Sequence, residues 1–563
     1  MKNYLIDRLQ AHGESRMREG YFCNRTLLSS LQLLAALLLC CFYQQSWAKD
    51  GNFGGCDGSS SNPYLIEDAA DLGAFRDKVN AGNTSICGKL TADIDLSTVC
   101  GESIGSWEPI GVIRNGSGAN LTSLSEFTGT FNGNGKSISG LYVNYQKIQN
   151  RTTDYQGLFG YNGGEIQNLH VNGYYLPSGC AGGIAAWNLG KIINCSFSGS
   201  FNHKGDYIGG ITGHSAGEII NCWSDAKIYA QPNDNGGICG YSEGCISNCL
   251  FGGKLINRYY VTKDANPTEI PYYNNNSIVS DGSKGTISNC YYLNGTDSKA
   301  TQVTADQLKS GYVAQALQNG NITYVWGQTI GTDTMPRLTS VDSAQVYFVK
   351  YLQGSTAFDS LYVNRYNTLN LPTAERLAGS NYSKYLVYTP AYKAVIDNSE
   401  TEVTKDTKVT ADMQVTCSYT VSPGLNGKGT TDYPYLISTA ENLAAFRDYV
   451  NLGNTAICGK LTQDIDLSTV CGDGIGSWEP IGNNKYEYKG TFDGNKHSVV
   501  GLYIKRTDVH HQGLFGYFMG DVENLHVSGN IWVEDTSPDI GNNAYCVGGI
   551  AGFVGKRLRN CVL

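Results

Sequence analysis

The sequence predicts an all-β protein: two parallel β-solenoids, read as right-handed β-helices with helical caps, separated by a small antiparallel β domain. Three observations lead there. A short unit recurs at steps of 26, 27 and 27 residues, marked by Asn168, Asn194, Asn221 and Asn248. A longer segment occurs twice, starting at Pro63 and again at Pro434, and the two copies align without a gap. The composition is that of short strands and tight turns, with 69 Gly and 38 Tyr among 563 residues and only 16% charged. Glycine permits positive φ and close backbone approach, while aromatic and β-branched side chains pack well on pleated surfaces.

A chain this long exceeds what one hydrophobic core serves, so several domains are expected. Residues 1–48 read as a signal peptide. Basic Arg25 precedes the apolar run "TLLSSLQLLAALLLCCF", and Ser46 and Ala48 are the small residues expected before a cleavage between Ala48 and Lys49. A start at Met17 would shorten an otherwise long leader. Because the run approaches the ~18–20 residues of a membrane span, an anchor is the alternative reading. The net charge of −9 is spread along the chain without a basic run, which argues against nucleic acid as a partner.

The first solenoid is expected over residues 56–300. In "DLGAFRDKVNAG", Leu72, Phe75 and Val79 fall at helical spacing with Gly82 as a stop signal. A short helix there would cover the open sheet end of the first coil. The units "GLFGYNGGEIQNLHVNG", "GGIAAWNLGKIINCSFSG", "GGITGHSAGEIINCWSDA" and "GGICGYSEGCISNCLFGG" follow, each with short apolar stretches between Gly-rich turns. One unit cannot bury its apolar face alone. Stacking units in parallel about 4.8 Å apart makes a continuous core and sets equivalent side chains in columns. A β-propeller is the rival, but its blades need about 40 residues.

Residues 301–344 are expected to close the array, with "TADQLKSGYVAQALQNG" helical and "YVWGQTIGTDTMPRL" a strand pair. Residues 345–422, including "QVYFVKYLQGS" and "MQVTCSYTV", read as the small antiparallel β domain, and 423–432 as a linker. The second solenoid, 433–563, opens with its own helix "NLAAFRDYVNLG". It stops at Leu563 inside an Asn-Cys unit, from which a truncated reading frame is expected.

Stacking assigns the recurrent dyad. Asn168, Asn194, Asn221 and Asn248 should form one column at a bend, amide bonded to amide. Cys195, Cys222 and Cys249 should form a second column on the opposite face and pack as small apolar groups, with oxidation between adjacent members as the alternative. Leu169 and Leu525 hold the same place in the earliest units, which a redox or metal site would not tolerate. Glu165, Lys191, Glu218 and Cys245 should form a surface column in which opposite charges alternate.

The linked motifs "GTFNGNGKSISGLYVN", "GLFGY", "GGIAA" and "IINC" resemble the GLUG-type repeat of bacterial surface and secreted proteins, over roughly residues 56–300 and 428–563. The closing segment is similar to the tail that follows such arrays. Members include adhesin-like proteins and the non-catalytic parts of IgA-specific metallopeptidases. The resemblance implies an extracellular location, secreted or on the outer surface of a bacterium, and supplies no catalytic residues.

Chemical motifs are sparse. None of the eight His falls in an HExxH pattern, and adjacent His510 and His511 read as loop residues. No G-x-S-x-G elbow or phosphate-binding loop occurs. A polysaccharide lyase or hydrolase would need carboxylates converging on adjacent coils. Asp93 and Asp95, repeated as Asp464 and Asp466, read as outward strand positions, with calcium as the alternative. Cys87 with Cys100 and Cys458 with Cys471 are possible disulfides, each worth about 3 kcal/mol for a loop of that size, and separate buried thiols are the alternative. Tyr161, Trp187 and Trp223 are candidates for stacking on sugar rings. The expectation is a non-enzymatic, adhesin-like protein with no cofactor and no metal. Its partner would be an extracellular protein or glycan, and it would touch membrane only through its export signal or an anchor beyond Leu563. The alternative is a carbohydrate-active β-helix or the accessory region of a larger secreted peptidase.

Overall fold

A computed structural model describes residues 53–115, 122–147, 155–202, 206–230, 235–257, 270–271, 276–280, 283–319, 321, 323–396, 399–507, 510–534 and 546–563. The expected signal peptide, with Met17 and the cleavage after Ala48, lies outside the described residues. Among the described residues no helix is long and apolar enough to cross a membrane. The chain forms two compact units, one ending at Val346 and the other running from Tyr347 to Leu563.

In the first unit the helix Ala69–Asn80 starts at Asp68, whose carboxylate accepts the Asp71 amide at 2.9 Å, an N-cap that satisfies one of the orphan donors of the first turn. Leu72, Phe75 and Val79 are fully buried. Phe75 packs against Phe127 and Phe131 with ring centroids 6.0 and 5.5 Å apart. At the far end, Asn80 donates to Pro109 O (3.0 Å) and accepts from Gly111 N (2.8 Å), which locks the helix to the "WEPIG" turn.

Beyond the helix the chain stacks on itself in parallel once per repeat. Lys191–Ile193 pairs with Glu165–Gln167 on one side and Glu218–Ile220 on the other, and Cys245–Ser247 and Thr286–Ser288 extend the series. A second parallel sheet joins Phe159–Asn162, Ala185–Asn188, Thr212–Ser215 and Cys239–Ser242. A third joins Tyr155–Gln156, Cys180–Gly182, Ile208–Gly209 and Asn235–Gly236. Each of the first four of these repeats therefore contributes one strand to the second and third sheets and one to three strands to the large first sheet. Ile166, Ile192, Ile219 and Ile246 are register partners and no more than 1% exposed, so one apolar column runs through the core. Each such side chain contributes roughly 1.5–3 kcal/mol by burial.

Glycine makes the stacking possible at one column in particular. A Cβ on Gly164, Gly190, Gly217 or Gly244 would meet a backbone carbonyl of the preceding unit at 2.1, 1.9, 2.0 or 1.9 Å. No side chain fits there.

The array is closed by two short helices, Ala305–Lys309 and Tyr312–Gln318, and by the antiparallel pair Trp326–Gly327 with Arg337–Leu338. The first of these helices carries a full capping box at Thr304 and Gln307.

The second unit begins with a five-stranded sheet in the order Thr356–Asn364, Val346–Gln353, Met413–Ser422, Val387–Ile396, Ser399–Glu402. It differs from the expected antiparallel domain in one respect, since Val346–Gln353 and Met413–Ser422 run parallel. The intervening strands and the helix Ala374–Ala378 supply the long crossover that a parallel pair needs. A second stacked array follows. Its helix Ala440–Asn451 buries Leu443, Phe446 and Val450, and Asn451 repeats the contacts of Asn80, to Pro480 O at 3.0 Å and from Gly482 N at 2.8 Å. Parallel strands Tyr435–Ile437, Gly459–Leu461, Thr491–Asp493, Asp521–Glu523 and Arg557–Arg559 then stack in order.

Candidate functional site

Each ladder asparagine sits in the left-handed region, with φ 55° at Asn168 and 53° at Asn194, Asn221 and Asn248. Asparagine is the side chain that tolerates this conformation best after glycine. The bend turns the carboxamides along the stacking direction. Asn194 Nδ2 donates to Asn168 Oδ1 at 3.0 Å, Asn221 to Asn194 at 3.1 Å, and Asn289 to Asn248 at 2.8 Å. Asn168 extends the column to Asn132 Oδ1, and in the second array Asn560 donates to Asn524 at 3.1 Å.

Cys195, Cys222 and Cys249 point the other way and are fully buried. Their thiols donate to backbone carbonyls, at 3.3 Å for Cys195 to Ile193 and Cys222 to Ile220 and 3.2 Å for Cys249 to Ser247. Burial pushes Cys195 up to about 12 and Cys249 well above the ordinary thiol value, so those two thiols stay protonated and lack nucleophilic character.

The two possible disulfides are not formed. Cys87, Cys100, Cys458 and Cys471 are free thiols. Close in sequence, the members of each pair serve different parts of a repeat. Cys100 donates to Leu96 O and Gly140 O at 3.5 Å, while the Cys87 backbone amide bonds Gly58 O at the start of the array. In the second copy Cys471 turns to Gly501 O and Cys458 lies beside Thr431.

The outward columns are ordered too. Glu165, Lys191, Glu218 and Cys245 are register partners, with Lys191 Nζ 3.0 Å from Glu218 Oε2. Asp93 and Asp95 are exposed beside buried Ile94 and Leu96. Asp93 accepts the Ser137 amide at 2.7 Å, which holds its carboxyl below the usual range, and Asp464 does the same with Ser498 at 2.8 Å. Tyr161, Trp187, His214 and Tyr241 form a stack with centroids 5.9, 3.7 and 5.2 Å apart. Rings stacked on one another present edges, so Tyr161 and Trp187 are poor platforms for a sugar face. Burial lowers the His214 imidazole below its ordinary value.

Trp223 is placed differently. It belongs to the column His170, Ser196, Trp223, two residues beyond the ladder Asn of successive repeats. This column forms one wall of a groove of about 720 Å³, and residues 324–325 and 334–340 of the closing segment form the other. The closing segment is held against the Asn column, with Trp326 Nε1 donating to Asn221 Oδ1 at 3.4 Å and Asn221 Nδ2 to Asn321 Oδ1 at 3.2 Å. Within the groove His170 Nδ1 and Ser196 Oγ are 2.8 Å apart, and the His170 and Trp223 rings stack at 5.7 Å. Burial lowers the His170 imidazole, and the Asp225 carboxylate opposes that shift. Of the groove residues, Trp223, Asn168, Asn194 and Leu169 were singled out in the sequence, whereas His170, Ser196, Asp225 and Arg337 were not. Aligning "NLHV", "NCSF" and "NCWS" on their Asn puts His170, Ser196 and Trp223 in register, which was the available signal.

No family model matches the chain. A protein of Evansella cellulosilytica described as a Gly-rich membrane protein is 38% identical over 124 residues, which is 21% of this chain and 14% of that protein. Halomucin of Haloquadratum walsbyi is 32% identical over 141 residues, 24% of this chain and 1% of halomucin. The chain thus spans only a small part of either relative. A solved IgA1 protease chain matches 42% of this chain and 20% of its own at 15% identity, with a TM-score of 0.21, a likeness too low to bear on fold or function.

Proposed function

We propose that this is an exported or cell-surface repeat protein of the GLUG type, whose two arrays are right-handed β-solenoids that act by adhesion and not by catalysis. The observation that carries the reading is the register-true stacking of repeats, which turns outward side chains into columns along both arrays. Each array also leaves an aromatic pair on its surface just beyond the "GLY" turn. Tyr142 stacks with Tyr174, which is 40% exposed, and Tyr503 packs against Trp532, which is 51% exposed. Repeated weak contacts on one rigid body add up to avidity without a dominant site. The duplication doubles that valency. The relatives named above, a Gly-rich membrane protein and halomucin, agree with an extracellular setting.

At this groove binding is favoured over glycoside cleavage, because Asp225 is the one carboxylate among the residues lining it and cleavage requires a pair. The test is retention of the full chain on immobilised matrix proteins and on a glycan array, with substrate turnover followed in parallel. Retention without turnover is expected. Release of reducing or unsaturated ends from a polysaccharide would overturn the reading in favour of a carbohydrate-active enzyme.

A further inference from the structure

The groove beside the Asn column has a directional repeat that restricts what fits it. Its coil wall runs across four successive repeats, through Asn132, Asn168, Asn194 and Trp223, so it follows the stacking direction. Neighbouring repeats are one strand spacing apart, so the four levels span roughly 14 Å. An extended β-1,4-linked glycan advances by roughly this ~4.8 Å spacing per sugar, turning over at each linkage so that like groups return every second repeat, whereas an extended peptide advances only ~3.3 Å per residue and drifts out of step. Asn132, Asn168 and Asn194 bring carboxamides to three of the levels, and Trp223 stands at the fourth, where Asn221 is taken up by Asn321 and Trp326. Asn194 uses one N–H and one lone pair within the column, and an amide carries two donors and two acceptor sites. Beside them lie the edges of the stacked His170 and Trp223 rings and, on the opposite wall, the apolar surface of Met335 and Pro336, which can meet the C–H groups of sugars. The charges select against anions. Arg337 is tied to Asp333 at 2.8 Å, and Asp225 leaves the wall with a carboxylate.

We propose that this groove binds a neutral, extended β-1,4-linked oligosaccharide lying along the stacking direction, one sugar per repeat. This rests on the adhesive reading above and gives it a ligand class. A volume of about 720 Å³ falls within the usual range for a ligand site of about 300–1,000 Å³.

The experiment is calorimetric titration of the full chain with cellotetraose, mannotetraose and chitotetraose. Maltotetraose serves as an α-linked control, tetragalacturonate as an anionic control, and an extended Ser/Thr-rich octapeptide as the peptide control. Binding of at least one β-linked neutral tetrasaccharide is expected, with affinity at least about tenfold above all three controls. Trp223→Ala should weaken it by about tenfold or more. Ser198→Arg, a change on the outer face of the same wall, should block it while leaving the melting temperature unchanged. Val395→Ala, at an exposed position of the five-stranded sheet, should leave it unaltered. The proposal is overturned if no β-linked tetrasaccharide binds, if a control binds equally well, or if both groove variants bind like the parent. Adhesion that persists in Ser198→Arg would leave the adhesive reading standing whatever the titration shows, so the two fail separately.

Discussion

At the scale of single residues, the ladder asparagine does two jobs, since it holds a left-handed bend and hydrogen-bonds to its neighbours. Asn194→Gly keeps the bend and removes the bonds, whereas Asn194→Ala loses both. Placing an L-residue with a Cβ in this region costs roughly 1–2 kcal/mol, and each lost hydrogen bond about 1 kcal/mol. Urea denaturation should therefore rank the proteins parent, Gly variant, Ala variant in falling stability, and an Ala variant equal to the Gly variant would contradict the strained bend. Histidine sets an acid limit. Burial lowers His170 and His214 below the ordinary value of 6.5, so on acidification the unfolded chain takes up protons before the folded one. Their contribution is fully present above that value and is lost as the pH falls toward their folded values. A melting temperature that declines below about pH 6.5, before the carboxylates titrate, is expected. His214→Tyr, which matches Tyr161 and Tyr241 in the same stack, should flatten part of that decline.

At the scale of elements, the contacts between repeats are backbone contacts, and glycine marks where they are tightest. Gly217→Ala places a methyl 2.0 Å from Gly190 O and should cost about 3 kcal/mol or more, measured by denaturant midpoint. Gly73 provides the contrast. It lies inside the helix Ala69–Asn80 with only the Arg76 guanidinium 4.0 Å away, and its counterpart in the second copy is Ala444. Gly73→Ala should stabilise by about 0.5–1 kcal/mol. The thiols give an independent check on packing. Iodoacetamide under native conditions should modify exposed Cys245, and peptide mapping should find Cys195, Cys222 and Cys249 labelled only after denaturation. These elements were legible in the sequence for a physical reason. Helix spacing, the 27-residue step and the Asn-Cys dyad are local or strictly periodic signals. The disulfides were misread because Cys87 and Cys100 are near in sequence but belong to different parts of a repeat, a separation that only three-dimensional stacking reveals. The parallel pair in the five-stranded sheet was hidden likewise, since strand direction there depends on a crossover of some sixty residues.

At the scale of the molecule, the candidate groove was the least legible feature. One wall comes from repeats whose periodicity exposes them, but the other is a closing segment that returns to Asn221 from a position 105 residues later. No local pattern encodes that return. The two arrays have separate cores, one centred on the Ile166–Ile246 column and one on Phe446, Phe492 and Val522. Stacked repeats support one another through their nearest neighbours. Hydrogen exchange on Gly217→Ala should therefore show lost protection around residues 190–250 that fades outward, with protection over 435–534 unchanged. A uniform loss across both arrays would refute the nearest-neighbour picture.

The Asn column also has a sense. In every bond described along it the later residue donates and the earlier accepts, from Asn194 to Asn168, Asn221 to Asn194, Asn289 to Asn248 and Asn560 to Asn524. Within each bonded run the amide dipoles consequently add head to tail, while between Asn221 and Asn248 the run is interrupted by Trp326. Each run is a vector, with positive polarity toward its earlier repeats and negative toward its later ones. Any charged group approaching along that flank meets a different field at each end, so a stack of near-identical repeats distinguishes its beginning from its end electrically.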